Sequence, residues 1–242
     1  MTKAHRQAGF SLFELLIAMV ITIVVMGLAT TLLAGSFKIR SREDRKSDAI
    51  ADVQRALNIM TREIGNAGFR LPSGLPGIAS NGIVVGDSNS QSIRIVTNQN
   101  GSPTATNGFV GDNDVADADE DVKFLIYVDS ALGQRYIVRY ENNATNATTV
   151  LANRIDSLVI RYYDEKVTYS TTVAADGTCD ITNVVNSANS PKSEVSPAQA
   201  KYIVIAVGVT LPAVGKPAVS GYQPPSQLQL TSDVVLRNSI VY

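Results

Sequence analysis

Residues 9–37 read GFSLFELLIAMVITIVVMGLATTLLAGSF, and one position in them decides the fold: Glu14, an acid set four residues into an otherwise uncharged apolar run. From Leu15 to Phe37 no side chain carries a formal charge, and about 20 such residues cross the hydrocarbon layer as a helix. The preceding stub, MTKAHRQAG, is short, polar and basic through Lys3 and Arg6. Lys38, Arg40 and Arg42 follow the run, so nearby charge alone does not fix orientation. A carboxylate inside a spanning helix costs less near the end than at the centre, yet it calls for a partner. The blander alternative seats Glu14 in the headgroup layer. A secretory signal shares the basic start and apolar core, but it would be cleaved beyond the run, near Ala34, and does not call for an acid within it.

Beyond the run, Ile50, Val53, Leu57, Met60 and Ile64 recur at spacings of three and four, with Arg45, Lys46, Asp48, Asp52, Arg55, Arg62 and Glu63 on the other faces. This periodicity predicts one helix from Phe10 to about Ile64, a rod of about 80 Å at 1.5 Å per residue. A coiled coil is the alternative for the stripe, but fewer than about three heptads make helix-on-sheet packing the better reading. Gly65, Gly68, Pro72, Gly74, Pro76 and Gly77 then end the helix. The predicted strands are 82–85, 92–97, 122–128, 134–140, 157–163, 201–211 and 233–241, with a hairpin turning at 131–133. One helix followed by strands, without a βαβ rhythm, indicates an α+β chain with a mostly antiparallel sheet.

Composition narrows function. The 21 basic and 22 acidic residues give a net charge of -1, which lacks the basic excess of a dedicated nucleic-acid binder. Cys179 is the only cysteine and His5 the only histidine, so an internal disulfide, a cysteine-held metal and, once the stub is removed, any histidine triad are excluded. Gly-x-x-x-x-Gly-Lys-Ser/Thr, His-Glu-x-x-His and Gly-x-Ser-x-Gly are absent from the sequence. The chain therefore reads as non-enzymatic and without a cofactor.

One candidate cation site stands out. The run 112–121, DNDVADADED, offers oxygen ligands at Asp112, Asp114, Asp117 and Asp119 that would suit Ca²⁺. It lacks the sixth-position glycine and the closing glutamate of an EF-hand loop, so a solvated loop is the plainer expectation. Asn143 and Asn146 each begin an Asn-x-Thr glycosylation pattern whose firmer content is a turn. Residues 164–200, rich in Ser, Thr, Asn and Asp and containing Cys179, read as a long surface excursion.

Gly9-Phe10-Ser11-Leu12-Phe13-Glu14 followed by a long apolar helix closely resembles the class III signal of type IV prepilins and type II secretion pseudopilins. Arg62-Glu63-Ile64-Gly65-Asn66-Ala67-Gly68-Phe69 resembles the helix ending of PilW-type minor pilins, and 151–163 and 235–238 resemble late strands of those proteins and of pseudopilin J. The resemblance implies a pilin-like fold in four parts: a leader (1–9) cleaved between Gly9 and Phe10, a transmembrane or filament-core helix (10–37), its amphipathic continuation (38–66), and a β-rich head (67–242) with variable loops at 73–121 and 164–200.

It further implies that prepilin peptidase cuts and methylates the chain at Phe10. Glu14 would then pair with the terminal amine of a neighbouring subunit. Implied partners are the major pilin, other minor pilins, the inner-membrane assembly machinery and a tip-associated adhesin. The chain would pass from the bacterial inner membrane, its head in the periplasm, to a pilus at the cell surface. A type II secretion pseudopilin, a tip receptor and an anchored periplasmic enzyme are the alternative functions.

Overall fold

The computed structural model describes residues 11–71, 74–99, 101–104, 108–111, 114–144, 147–174, 176–219 and 222–239. Its first element is a single helix, α1 (Leu12–Gly65), of 54 residues. No proline interrupts it, and its only interior glycines are Gly27 and Gly35. The helix ends where Asn66 N–H turns back to the Glu63 carbonyl at 3.0 Å and Ala67 N–H to that of Ile64 at 3.0 Å, ahead of Gly68 at φ 78°. The expected α+β architecture is present, with every paired strand antiparallel among the described residues.

The chain divides into two compact units. One comprises α1 up to Arg45 together with residues 213–224. Here the large apolar side chains of the helix, from Leu12 to Phe37, stand exposed, which water would not tolerate over such a length. Its hydroxyls are satisfied internally: Thr22 donates to the Ala18 carbonyl at 2.7 Å, Thr31 to Leu28 at 2.8 Å, Ser36 to Leu32 at 3.1 Å, and Thr30 to Met26. In a medium without water such back-bonding removes the cost of a bare hydroxyl.

The second unit spans residues 46–212 and 225–242. The predicted stripe is its keel: Val53, Leu57, Met60 and Ile64 are buried, joined by Ala56, while Ile50 is half-covered. Full burial of such a side chain is worth about 1.5–3 kcal/mol. They pack into one core with Ile93, Phe124, Ile137, Leu158 and Ile205.

Eleven strands are described: β1 (Ser92–Val96), β2 (Gly101–Thr104), β3 (Gly108–Gly111), β4 (Asp121–Asp129), β5 (Gln134–Glu141), β6 (Thr148–Asn153), β7 (Ser157–Tyr163), β8 (Thr168–Val173), β9 (Cys179–Val185), β10 (Tyr202–Leu211) and β11 (Ser226–Val235). They form a sheet of order β1-β4-β5-β6, a sheet of order β11-β10-β7, and the two ribbons β2-β3 and β8-β9. The predicted hairpin is β4-β5, closed with Asp129 opposite Gln134. Its turn is pinned by Asp129 Oδ1, which accepts from Ala131 N–H at 2.9 Å and Leu132 N–H at 3.2 Å.

Three strand expectations change. Residues 82–85 make only isolated bridges, Ile83 to Ile95 and Val84 to Ile78, before a 3₁₀ turn at Val85–Asp87. The final strand begins and ends earlier than 233–241: β11 covers Ser226–Val235 because its pairing with β10, Leu211 opposite Ser226, sets the limits. Residues 240–242 lie outside the described residues.

The segment 164–200, read from the sequence as a loop excursion, contains the β8-β9 ribbon. Val167, Cys179 and Ile181 build a smaller core there with Tyr163, Tyr202, Val204 and Ala206. Alternate residues of β10 thus face two cores, Ile203, Ile205, Val207 and Val209 the main one and Tyr202, Val204 and Ala206 the smaller. This is the period-two signature of a strand covered on both faces.

Cys179 is buried, its sulfur 3.1 Å from Ser157 Oγ, which in turn accepts from Cys179 N–H at 3.0 Å. Burial pushes the thiol pKa up, and the thiolate is the reactive form. The native protein is therefore expected to resist a soluble aromatic disulfide reagent at pH 8. Full labelling should come only in denaturant, and rapid native labelling would contradict this burial.

Candidate functional site

The N-terminal helix carries the candidate site. Ser11 carbonyl accepts from Leu15 N–H at 3.1 Å, which opens α1 with Glu14 in its first turn. That location suits an acid, since the helix dipole places positive potential at the N-terminus. Glu14 is flanked by Phe13 and Leu15, 71% and 57% exposed. The best 18-residue window of the helix has mean hydropathy 2.6 and none of it is buried. An anionic group therefore stands at the start of an uncovered apolar rod long enough to cross a membrane. When that rod enters lipid or packs among like rods, the carboxylate loses water and needs a cation. Gly9 and Phe10, the expected cleavage and methylation positions, lie outside the described residues.

Much of the acidic run is engaged in bonds within the fold. Asp112 and Asn113 lie outside the described residues. Asp121 grips Arg94 with both oxygens, at 2.8 Å to Nε and 2.6 Å to Nη2. Arg94 also reaches Asp87 at 2.6 Å. These bonds, the Asp121 pair foremost, raise the Arg94 pKa. Lys123, bonded at 2.9 Å, and then Arg94 hold Asp87 below the usual carboxylate range.

Asp119 bonds Arg139 Nη2 at 2.5 Å, and Arg139 Nε bonds Glu63 of α1 at 2.9 Å. Burial works against the Arg139 charge, but these partners outweigh it and its pKa rises. Glu120, buried, accepts from Gln99 N–H at 2.9 Å and Asp117 N–H at 3.3 Å. Asp114 Oδ1 accepts from Ala116 N–H at 3.0 Å. The side-chain amide of Asn143 donates to the Val115 and Asp117 carbonyls, each at 2.7 Å.

Asp119 thus ties the run to β5 and, through Arg139, to Glu63 of α1, and Asp121 ties it to β1, while the Asp114 carboxylate bonds within the run and the Asp117 carbonyl accepts from Asn143. Among the described residues no trio of His, Cys, Asp or Glu is gathered as a cation would need. Thr145 and Asn146 lie outside the described residues. The partners Arg94 and Arg139 come from strands distant in sequence, so only the folded chain reveals the network.

Among known proteins, the family described as the prokaryotic N-terminal methylation motif matches residues 4–30. No curated protein and no solved structure matches the chain. The matched stretch contains the Gly9-Phe10 junction, Glu14 and the first half of the apolar rod. The motif, the exposed apolar helix consistent with membrane anchoring, and the α+β architecture support a type IV prepilin-like assignment, a pilin- or pseudopilin-like chain processed at its N-terminus.

Proposed function

We propose that this chain is a minor pilin of the PilW type. Prepilin peptidase cleaves it after Gly9 and methylates Phe10. The mature subunit then enters a type IV pilus alongside the major pilin and other minor pilins, with help from the inner-membrane assembly machinery, and contributes to priming the filament. The observation that carries this reading is Glu14, a lone carboxylate in the apolar stretch 12–37 of the helix, whose large side chains are uncovered. In a bundle of such helices the acid of one subunit neutralises the terminal amine of the next, so that neither charge is left bare in an apolar core. The precursor sits in the inner membrane with its head in the periplasm, and the assembled form is displayed at the cell surface.

The test is the N-terminal peptide of the protein recovered from sheared surface filaments. It should begin at Phe10 and carry one added methyl group on the amine. A mature chain beginning elsewhere, or one found only as a free soluble species, would refute the reading. Recovery only with a secretion filament and never with pili would assign it instead to the pseudopilins of type II secretion.

A further inference from the structure

Residues 213–224, between β10 and β11, share a compact unit with α1 up to Arg45. Their base is closed by reciprocal bonds, Val214 N–H to the Gln223 carbonyl at 3.0 Å and Gln223 N–H to the Val214 carbonyl at 2.9 Å. Within the loop, Val219 N–H bonds the Lys216 carbonyl at 3.2 Å and Tyr222 N–H bonds that of Val219 at 3.0 Å. Its described residues are thus folded on a fixed base.

Arg42 Nη1 donates to Gln223 Oε1 at 3.1 Å, placing that base beside the helix. Along α1 from Leu12 to Asp48, Lys38 and Arg42 are partly covered, and their spacing of four puts them on one face. Open space surrounds Gly35 on its outer side, as it does Gly27. The covered face therefore begins just beyond the end of the uncharged run at Phe37. The loop lies where the rod leaves its apolar stretch.

The composition of this junction is selective. Residues 213–224 contain no acid, one cation (Lys216), the apolar Val214, Pro217, Ala218 and Val219, and Tyr222. The adjoining helix supplies Lys38, Arg40 and Arg42 after the uncharged run and before the next acid, Glu43. Val219 is 53% exposed, and Lys216 and Pro217 are exposed as well. Apolar tips flanked by cations and a tyrosine are what the headgroup layer of an anionic bilayer accepts.

We propose that residues 213–219, with Tyr222, form a membrane-contacting element. Val219 dips into the boundary between headgroups and acyl chains while Lys216, Lys38, Arg40 and Arg42 meet lipid phosphates. The unassembled subunit is thereby held at a fixed depth in the bilayer. This inference rests on the membrane-anchored reading of α1 given above.

The chain contains no tryptophan, so Val219→Trp in the full-length protein gives a unique reporter. The probe is a vesicle of phosphatidylethanolamine and phosphatidylglycerol bearing bromines at either shallow or deep acyl positions. Flotation first shows whether the chain is inserted. The expected result is a blue-shifted emission quenched at least twofold by shallow bromines and less by deep ones. Adding Lys216→Glu should weaken that quenching when phosphatidylglycerol is present. A chain that floats with vesicles yet shows water-like emission without bromine quenching would overturn the loop proposal and leave the anchor intact. A chain that does not float would overturn both. Emission shifted only in assembled filaments, never in vesicles, would mean that a neighbouring subunit covers the loop, and it too overturns the proposal.

Discussion

Glu14→Ala is expected to leave cleavage after Gly9 intact and to reduce recovery of the subunit in sheared filaments by about 10²- to nearly 10⁴-fold. The size follows from the charge left behind: removing one member of a desolvated ion pair costs about 3–5 kcal/mol, because the other remains unpaired in an apolar setting. The share of Glu14 in the stability of the helix itself is small, about 0.3–1 kcal/mol for an acid in the first turn. The residue is exposed and lies at the start of a helix that continues for 54 residues. Glu14→Gln keeps the shape, removes the charge and should behave nearly as badly. The measurement is the ratio of filament to membrane-bound protein by immunoblot, with the N-terminal peptide mass as a control for processing. Recovery within twofold of the parent would show that charge neutralisation does not guide assembly.

The second large effect concerns the head. Gly82 has φ 81°, and a Cβ added there would lie 1.9 Å from the backbone N of Gly68 and 2.6 Å from its Cα. Two backbones touch at this point, one leaving α1 and one entering the segment before β1. They are tied by Gly68 N–H to the Val96 carbonyl at 3.0 Å and Val96 N–H to the Gly82 carbonyl at 2.8 Å. Beside them the Asn81 amide donates to the Pro197 and Ala200 carbonyls, at 2.8 and 2.9 Å.

Gly82→Ala must therefore move backbone, and we expect a loss of about 3 kcal/mol or more, roughly 6–12 °C in Tm for a unit of this size. Gly77→Ala separates the causes. Gly77 has nearly the same φ, 78°, but open space where the Cβ would go. Its loss should be only about 1–2 kcal/mol, the ordinary cost of the left-handed region. Equal losses for the two variants, read by thermal denaturation, would dismiss the steric account.

The unequal legibility of the sequence has a physical cause. α1 was readable because both of its halves carry a local signal, an uncharged run and then the stripe from Val53 to Ile64. The β4-β5 hairpin was readable because its strands are rich in β-branched and aromatic residues around a short turn. The β8-β9 ribbon was not, since Thr168–Val173 lacks apolar alternation and stays mostly exposed, and the residues that anchor the ribbon, Val167, Cys179 and Ile181, are covered by Tyr163, Tyr202 and Val204, which only the tertiary fold brings to them. The first half of β11, Ser-Gln-Leu-Gln-Leu-Thr, has the alternation of a strand but few strong β formers, and pairing with β10 supplies what propensity does not.

The same division runs through the site. Glu14 announces itself because it violates its surroundings. The acidic run, by contrast, looks like free ligand until Arg94 and Arg139 arrive from elsewhere in the chain. The 213–224 loop gave no sequence signal of its own, since its meaning comes from its position beside residue 42.

The inward-turned hydroxyls of Thr22, Thr30, Thr31 and Ser36 have a mechanical consequence. With those donors already engaged, these hydroxyls offer no hydrogen to an adjacent shaft, and what remains between two such surfaces is the fit of apolar ridges into grooves. Lateral cohesion and axial alignment are then separate tasks. In the proposed filament, grease would supply the first and the Glu14 latch at one end would set the second.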